Sequence, residues 1–389
     1  MSIKKKSASR GRKPRARKAG FPARKASPFI KRMSTAVRAH FADAVSLPEF
    51  LATAGRLTLP QRKLIVQQAL VLIEQNYAHL PLKRSMHSID PVQRLKLLLQ
   101  ALELSPKALQ PSESEFHREV CEVFTSLRDL HTNYLLPAPF DTVTAFLPFM
   151  VEDYFQDGSR KYIVSHVTQG FNHPTFFAGV EVVYWNGVPI DRAVWQHAQN
   201  FAGSNREARH ARGMQRLTVR ALRMGPPPDE EWVVVGYKTA SGTMAELRVD
   251  WNVNAPLPSA VDSEDGAAEV TANLGLDLEQ DIIQRMRSAL FAPQVVATKK
   301  KMVQKAVGME SLGDLETGLP GVFDVRKVTT PSGEFGYLRI RTFAPSWPNG
   351  DSATVDDFVQ EFIRLISSLP ERGLILDVRG NGGGIITIG

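Results

Sequence analysis

Residues 373–384 read GLILDVRGNGGG. Leu374, Ile375 and Leu376 form an apolar run that ends in Asp377, Val378 and Arg379, and four of the next five residues are glycine. A short apolar run bounded by turn residues predicts a buried strand. The glycines permit a sharp turn with positive φ and let the backbone pass close to a bound group. A tight loop of N–H groups at the carboxyl end of a parallel strand is a cradle for negative charge, either a phosphate or the oxyanion of an acyl-transfer intermediate.

The phosphate alternative fails in detail. A P-loop needs Lys followed by Ser or Thr after its last glycine, but Ile385 and Ile386 follow here. A dinucleotide fingerprint starting at Gly380 meets Ile385 where its third glycine belongs.

Working upstream, Phe335–Ile340 (FGYLRI) reads as a strand. Thr354 with Asp357 caps a helix whose Phe358, Phe362, Leu365, Ile366 and Leu369 share a face. Strand, helix, strand at this spacing predicts a βαβ crossover with parallel strands. Farther upstream lies Leu127–Pro137, LRDLHTNYLLP. These three blocks, in this order, resemble the tail-specific, or C-terminal processing, serine peptidase family and its tricorn-core relatives, over roughly residue 60 to the end.

The resemblance implies a multidomain α+β protein: an N-terminal helical region, a PDZ-like β-rich module, and the first βαβ unit of an α/β crotonase-like peptidase core. It implies a serine nucleophile well beyond the glycine loop, and oxyanion donors from the loop backbone, with Gly383 and Gly384 as the candidates. It also implies a base that is either the histidine of the upstream block, here His131, or a lysine beyond the serine. His131 can equally be part of a helix-end structure. Asp377 and Arg379 are read as structural, pinning the turn. Beyond Gly384 only Thr387 carries a hydroxyl, so the expectation is a chain that stops short of the nucleophile, as a truncated form or as an inactive remnant.

The expected domains are a basic disordered tail (1–42), a helical domain (56–140), the PDZ-like module (145–252), a linker with a helical insertion (253–330) and the incomplete peptidase core (331–389). In the helical part, Ile65, Ala69, Leu72 and Ile73 share a face, Asp90 with Pro91 starts a helix, and Ser112 with Glu115 forms a capping box. In the module, Val180–Trp185, Asn186-Gly187 and Val188–Ile190 read as strand, tight turn, strand, and Trp232–Tyr237 pairs with Leu247–Trp251. Residues 253–275 read as linker, and Asp277 as the cap of a following helix.

The net charge of +8 belongs to the amino-terminal arm. Residues 1–42 hold 14 Lys and Arg and no acid, leaving 34 basic against 40 acidic residues in the body. The arm fits a solvated tail, an electrostatic contact with nucleic acid or an anionic surface, or an organelle transit segment. It has no hydrophobic segment of a secretory signal, and no window is apolar enough to span a membrane. The compartment stays open. One cysteine, Cys121, excludes an internal disulfide. The histidines show no metal-ligand spacing, and neither a metal nor a cofactor is expected. The expected partner is a polypeptide substrate, cleaved by a serine endopeptidase or, in the alternative, held by a non-catalytic peptide-binding module.

Overall fold

A computed structural model describes residues 31–106, 109–203, 205–254, 278–293, 315–345 and 352–379, together with 381, 383–385, 387 and 388. The helical region comprises α1 (Thr35–Arg38), α2 (Leu47–Ala54), α3 (Leu59–Leu70), α4 (Leu80–His87), α5 (Pro91–Leu104) and α6 (Glu113–Ser126). The caps fall where the sequence puts them. Asp90 accepts from the Gln93 N–H at 3.1 Å. Ser112 and Glu115 exchange bonds at 3.3 and 2.7 Å, which answers two N–H groups that a helix start leaves open. One expectation shifts. A π-helical turn, Val71–Asn76, follows α3, and its wider i to i+5 pitch moves Leu72 off the buried face while Ile73 stays in the core.

The β-rich module is built on β3 (Phe149–Gln156), β4 (Ser159–Val167), β5 (Glu181–Trp185), β6 (Val188–Pro189), β8 (Trp232–Lys238) and β9 (Met244–Asp250), a six-stranded antiparallel sheet in the order β3-β4-β5-β8-β9 with β6 on β5. The turn between β5 and β6 has positive φ at both Asn186 and Gly187, the geometry that a two-residue hairpin needs. Helices α7 (Ile190–Ala198) and α8 (Arg206–Gln215) follow β6. A second antiparallel sheet, β1-β10-β2-β7, joins β1 (Val45–Ser46) to β10 (Asn252–Asn254), β2 (Thr144–Phe146) and β7 (Val219–Ala221). Chain segments two hundred residues apart thus close the module, and Val253 belongs to a strand rather than to the linker.

Residues 31–42 correct the sequence reading, which assigned them to a disordered tail. Met33, Val37 and Phe41 are buried with Phe146, Val219 and helix α9 (Leu278–Phe291). Ser34 donates its N–H to the Gln169 carbonyl at 3.0 Å. Gly170, at φ +95°, lets the backbone of Arg32–Ser34 lie where a Cβ would otherwise stand. Apolar residues are sparse among the arm's charges, but at positions 33, 37 and 41 they recur at helical spacing, which suffices for docking. Residues 1–30, the linker at 255–277 with Asp277, and the lysines at 299–301 lie outside the described residues.

The last unit is a three-stranded sheet, β11 (Phe323–Thr330), β12 (Gly333–Ile340) and β13 (Leu374–Asp377), covered by α10 (Val355–Ser367). β12 pairs parallel with β13, as a βαβ connection requires, and antiparallel with β11. Strand β11 corrects the expected linker and helical insertion: its ladder with β12 runs from Phe323 to Thr330, so this unit begins before residue 331. β13 is a strand but not a buried one. Leu374, Ile375 and Leu376 are 43, 47 and 51 % exposed, because among the described residues β13 has a ladder partner only in β12.

The helical and β-rich cores meet at a buried polar cluster. His117 Nδ1 lies 2.8 Å from the Tyr134 hydroxyl, and His117 Nε2 lies 3.6 Å from Glu113. Burial pushes the His117 pKa down to about 4, against the opposing pull of Glu113. In the unfolded chain the imidazole takes a proton below about 6.5, whereas in the folded chain it does not until about 4. The unfolded state therefore binds more protons in that window, and stability falls as pH drops through it. Urea unfolding should show His117 costing roughly 2 kcal/mol between pH 7 and 5. The variant His117→Gln should lose that part of the pH dependence while keeping the remainder.

Candidate active site

Asp377 ends β13 and is 6 % exposed. It accepts the Tyr337 hydroxyl at 2.7 Å, the Arg379 backbone N–H at 2.9 Å, and two guanidinium N–H groups of Arg379 at 2.9 and 2.7 Å. The Arg379 guanidinium, with the Tyr337 hydroxyl and the Arg379 N–H, holds the carboxyl well below the ordinary carboxylate range. Arg339 from β12 donates to the Arg379 carbonyl at 2.9 Å, which ties the loop's first turn to the neighbouring strand. Asp377 and Arg379 thus answer each other and the turn. The Arg379 side chain is 86 % exposed.

The loop then folds back. Asn381 donates to the Ile340 carbonyl at 3.2 Å and accepts the Gly383 N–H at 2.8 Å. The Gly383 carbonyl accepts from the Phe343 N–H at 2.9 Å, and the Ile385 N–H donates to the Phe343 carbonyl at 2.8 Å. Phe343 and Gly384 form a parallel bridge. In such a bridge the residues flanking Gly384 make the bonds, so the peptide groups of Gly384 itself face away from Phe343. Gly383 and Gly384 have φ of +97° and +146°. A Cβ on Gly384 would collide with the backbone of Phe343 and Ala344. Glycine is required there by close approach as well as by φ.

The two candidate donors therefore differ. The Gly383 N–H is occupied by Asn381, whereas among the described residues the Gly384 N–H makes no hydrogen bond. Gly380 and Gly382 lie outside the described residues. Sequence reasoning passed over Asn381, Tyr337 and Arg339. A signal existed for the first, since an Asn within glycines folds its side chain onto the backbone two residues on. Tyr337 and Arg339 alternate on one face of β12, but that they reach Asp377 and Arg379 depends on the β12–β13 register.

His131 sits elsewhere. Arg128, at φ +52°, ends the α6 segment, and the Asp129 carboxylate accepts the His131 backbone N–H at 3.0 Å and the Tyr77 hydroxyl at 2.7 Å. Burial acts to raise the Asp129 pKa, but these two bonds, with the Lys83 charge and the Thr132 hydroxyl, outweigh it and hold the group below its ordinary value. The His131 residue is exposed. Among the described residues no hydrogen bond and no buried cluster joins it to the glycine loop, whose unit packs in a cluster of its own. No group of three or more metal-ligating side chains occurs among the described residues. No described helix is long and apolar enough to cross a membrane.

Residues 143–261 match the family description of the PDZ domain. Solved structures supply the wider likeness. The chain is similar to mature CPAF (TM-score 0.51, 20 % identity, 84 % of this chain and 56 % of that one). It is similar to a point mutant of CPAF (0.52, 19 %, 85 % and 57 %) and to mature CPAF complexed with lactacystin (0.51, 20 %, 84 % and 57 %). At such identities the likeness is one of fold. The chain spans a little over half the length of these structures. No curated protein matches the chain in sequence. Nucleic-acid binding by residues 1–42 finds no support in these comparisons.

The loop geometry sets a test. Asn381→Ala should free the Gly383 N–H and the Ile340 carbonyl, raising amide exchange across the 378–385 segment. Gly384→Ala should do so more strongly, because its collision is with backbone. In both variants protection of α5, α6 and the six-stranded sheet should be unchanged.

Proposed function

We propose that this chain forms the substrate-binding and oxyanion-holding part of a serine endopeptidase of the tail-specific class. The observation that carries the reading is the order of parts. A PDZ module at 143–261 precedes a strand–helix–strand unit ending in a glycine loop, within a fold like that of CPAF, a serine protease. The PDZ module supports a polypeptide substrate, engaged as an added strand or by its terminal carboxylate. The last unit is then read as the opening of a crotonase-like core.

In this scheme a serine attacks the scissile carbonyl and the charge that develops on oxygen is met by fixed N–H donors. Gly384 is the donor of choice, since its N–H has no competing partner among the described residues while that of Gly383 serves Asn381. Asp377, Arg379, Tyr337 and Arg339 act as positioning residues, holding the loop that presents this N–H. His131 is the candidate base; it stands free on an Asp129-fixed turn rather than buried as a structural histidine. The sequence beyond Gly384 offers Thr387 but no serine, so the chain by itself is read as binding polypeptide without cutting it. A second reading, a peptide-binding module with no catalytic role, rests on the PDZ match at residues 143–261.

The purified 389-residue chain should bind peptides with a free C-terminal carboxylate in fluorescence anisotropy, and should not degrade unfolded polypeptide. Robust turnover, with labelling by a serine-directed fluorophosphonate, would overturn the non-cutting assignment. When joined to a segment that supplies the serine, the protein should cleave, and His131→Ala should lower kcat by about two to four orders of magnitude. Near-normal activity in that variant would give the base role to another residue. Absence of cleavage in every serine-bearing form would favour the binding module.

A further inference from the structure

The turn that carries His131 meets the PDZ module through a cluster of cations. Arg128, which opens that turn, donates to the carbonyls of Gln199 and Phe201 at 3.0 and 3.1 Å and to the Gln199 side chain at 3.1 Å. A guanidinium has five N–H donors, so these bonds leave two. Lys83 of α4 reaches the Arg128 carbonyl at 3.5 Å, and His87 lies one turn farther along the same face of that helix. On the other side, Gly203 follows Phe201 by two residues and sits against Arg209 of α8. A Cβ on Gly203 would come within 2.9 Å of the Arg209 side chain.

Among the described residues Lys83, Arg128 and Arg209 have no carboxylate in ion-pair contact. Asp129 feels the Lys83 charge, but its oxygens are taken by the Tyr77 hydroxyl and the His131 N–H. The His87 ring shows that the three charges converge: burial, then Lys83, Arg128 and Arg209, push its pKa down. Burial and the Arg209 charge likewise lower the pKa of Arg128. The spare donors are open to solvent. Arg209 Nε and His87 Nε2 are buried and take no part, whereas Arg128 Nε and the Arg209 Nη atoms keep accessible surface. Like charges held this close repel, and an anion set among them removes that cost. The body of the chain, with 34 basic against 40 acidic residues, has acids enough to pair them and does not.

We propose that this patch binds an acidic stretch of polypeptide, one in which two or more Asp or Glu side chains lie close together. The inference rests on the polypeptide-binding reading above and adds a second point of hold, between α4 and α8 and beside the turn of His131. One carboxylate takes the spare donors of Arg128, in the planar pairing that guanidinium groups favour. A second is answered by Arg209 and Lys83, because a single carboxylate would leave two of the three charges unmet. A long polyanion such as nucleic acid fits less well, since beyond the patch it would run onto a net acidic body.

Fluorescence anisotropy of the full chain with a labelled Glu-rich peptide and with its Gln counterpart, at about 0.15 M salt, tests this. Both peptides are amidated at the C-terminus, so the result does not depend on whether the PDZ module captures free C-termini. The Glu peptide should bind saturably, and the Gln peptide about tenfold more weakly or less. Arg209→Gln and Lys83→Gln should each weaken the Glu peptide about tenfold. Both side chains are half-buried, and if one variant does not fold the other decides. The His87 pKa, followed by NMR, should rise when the Glu peptide binds, because negative charge then stands beside the ring. Equal binding of the two peptides, no binding of either, or an unmoved His87 pKa would overturn the proposal. So would Glu-peptide binding that both variants leave intact, which would place it on the basic arm. Tighter binding of a single-stranded oligonucleotide, lost in the same variants, would give the patch to nucleic acid instead.

Discussion

The buried carboxylate of Glu113 is the constraint on which the joining of the two main cores depends. A carboxylate this covered is held by one oxygen: Oε2 accepts from the Arg56 and Leu57 N–H groups at 2.7 and 2.5 Å and lies 3.9 Å from Arg62, while Oε1 faces His117 Nε2 on the next helical turn at 3.6 Å, beyond hydrogen-bond reach. The first two bonds fix the path of the chain from α2 into α3. The His117 ring passes the constraint on to Tyr134, whose ring packs against both the helical cluster and the β-rich cluster. Removing one member would strand the others, which is why such a cluster specifies an arrangement more than it adds stability.

Around that joint the chain closes on itself through pairings distant in sequence. β1 meets β10, and residues 33–41 dock beside α9. Arg128, held at positive φ, reaches carbonyls at the end of α7. The helical region and the PDZ module are thus joined by apolar packing and by guanidinium bonds at once.

The glycine loop follows a different logic. Its shape comes from backbone proximity, with Gly384 against Phe343 and no room for a side chain. The polar residues around it spend their donors and acceptors on the loop itself: Asp377 on Arg379 and Tyr337, Asn381 on Ile340 and Gly383. Among the described residues of the loop, the Gly383 N–H is taken by Asn381 and the Gly384 N–H makes no hydrogen bond.

Much of this was legible in the residues. The capping pairs at Ser112–Glu115 and Thr354–Asp357, the Asn186-Gly187 turn and the strand–helix–strand around FGYLRI and LILDV are local signals, because capping and turn geometry are decided within four residues. The glycine loop as a candidate site was legible for the same reason. What the sequence could not decide depends on distant partners. Strand β11 shows only against β12, and the folded state of residues 33–41 only against Phe146 and α9. The choice between the Gly383 and Gly384 N–H groups turns on where Asn381 and Phe343 meet the loop, and the exposure of Leu374–Leu376 on what lies beside β13. Local chemistry fixed the elements; tertiary pairing decided which of their groups are left free to act.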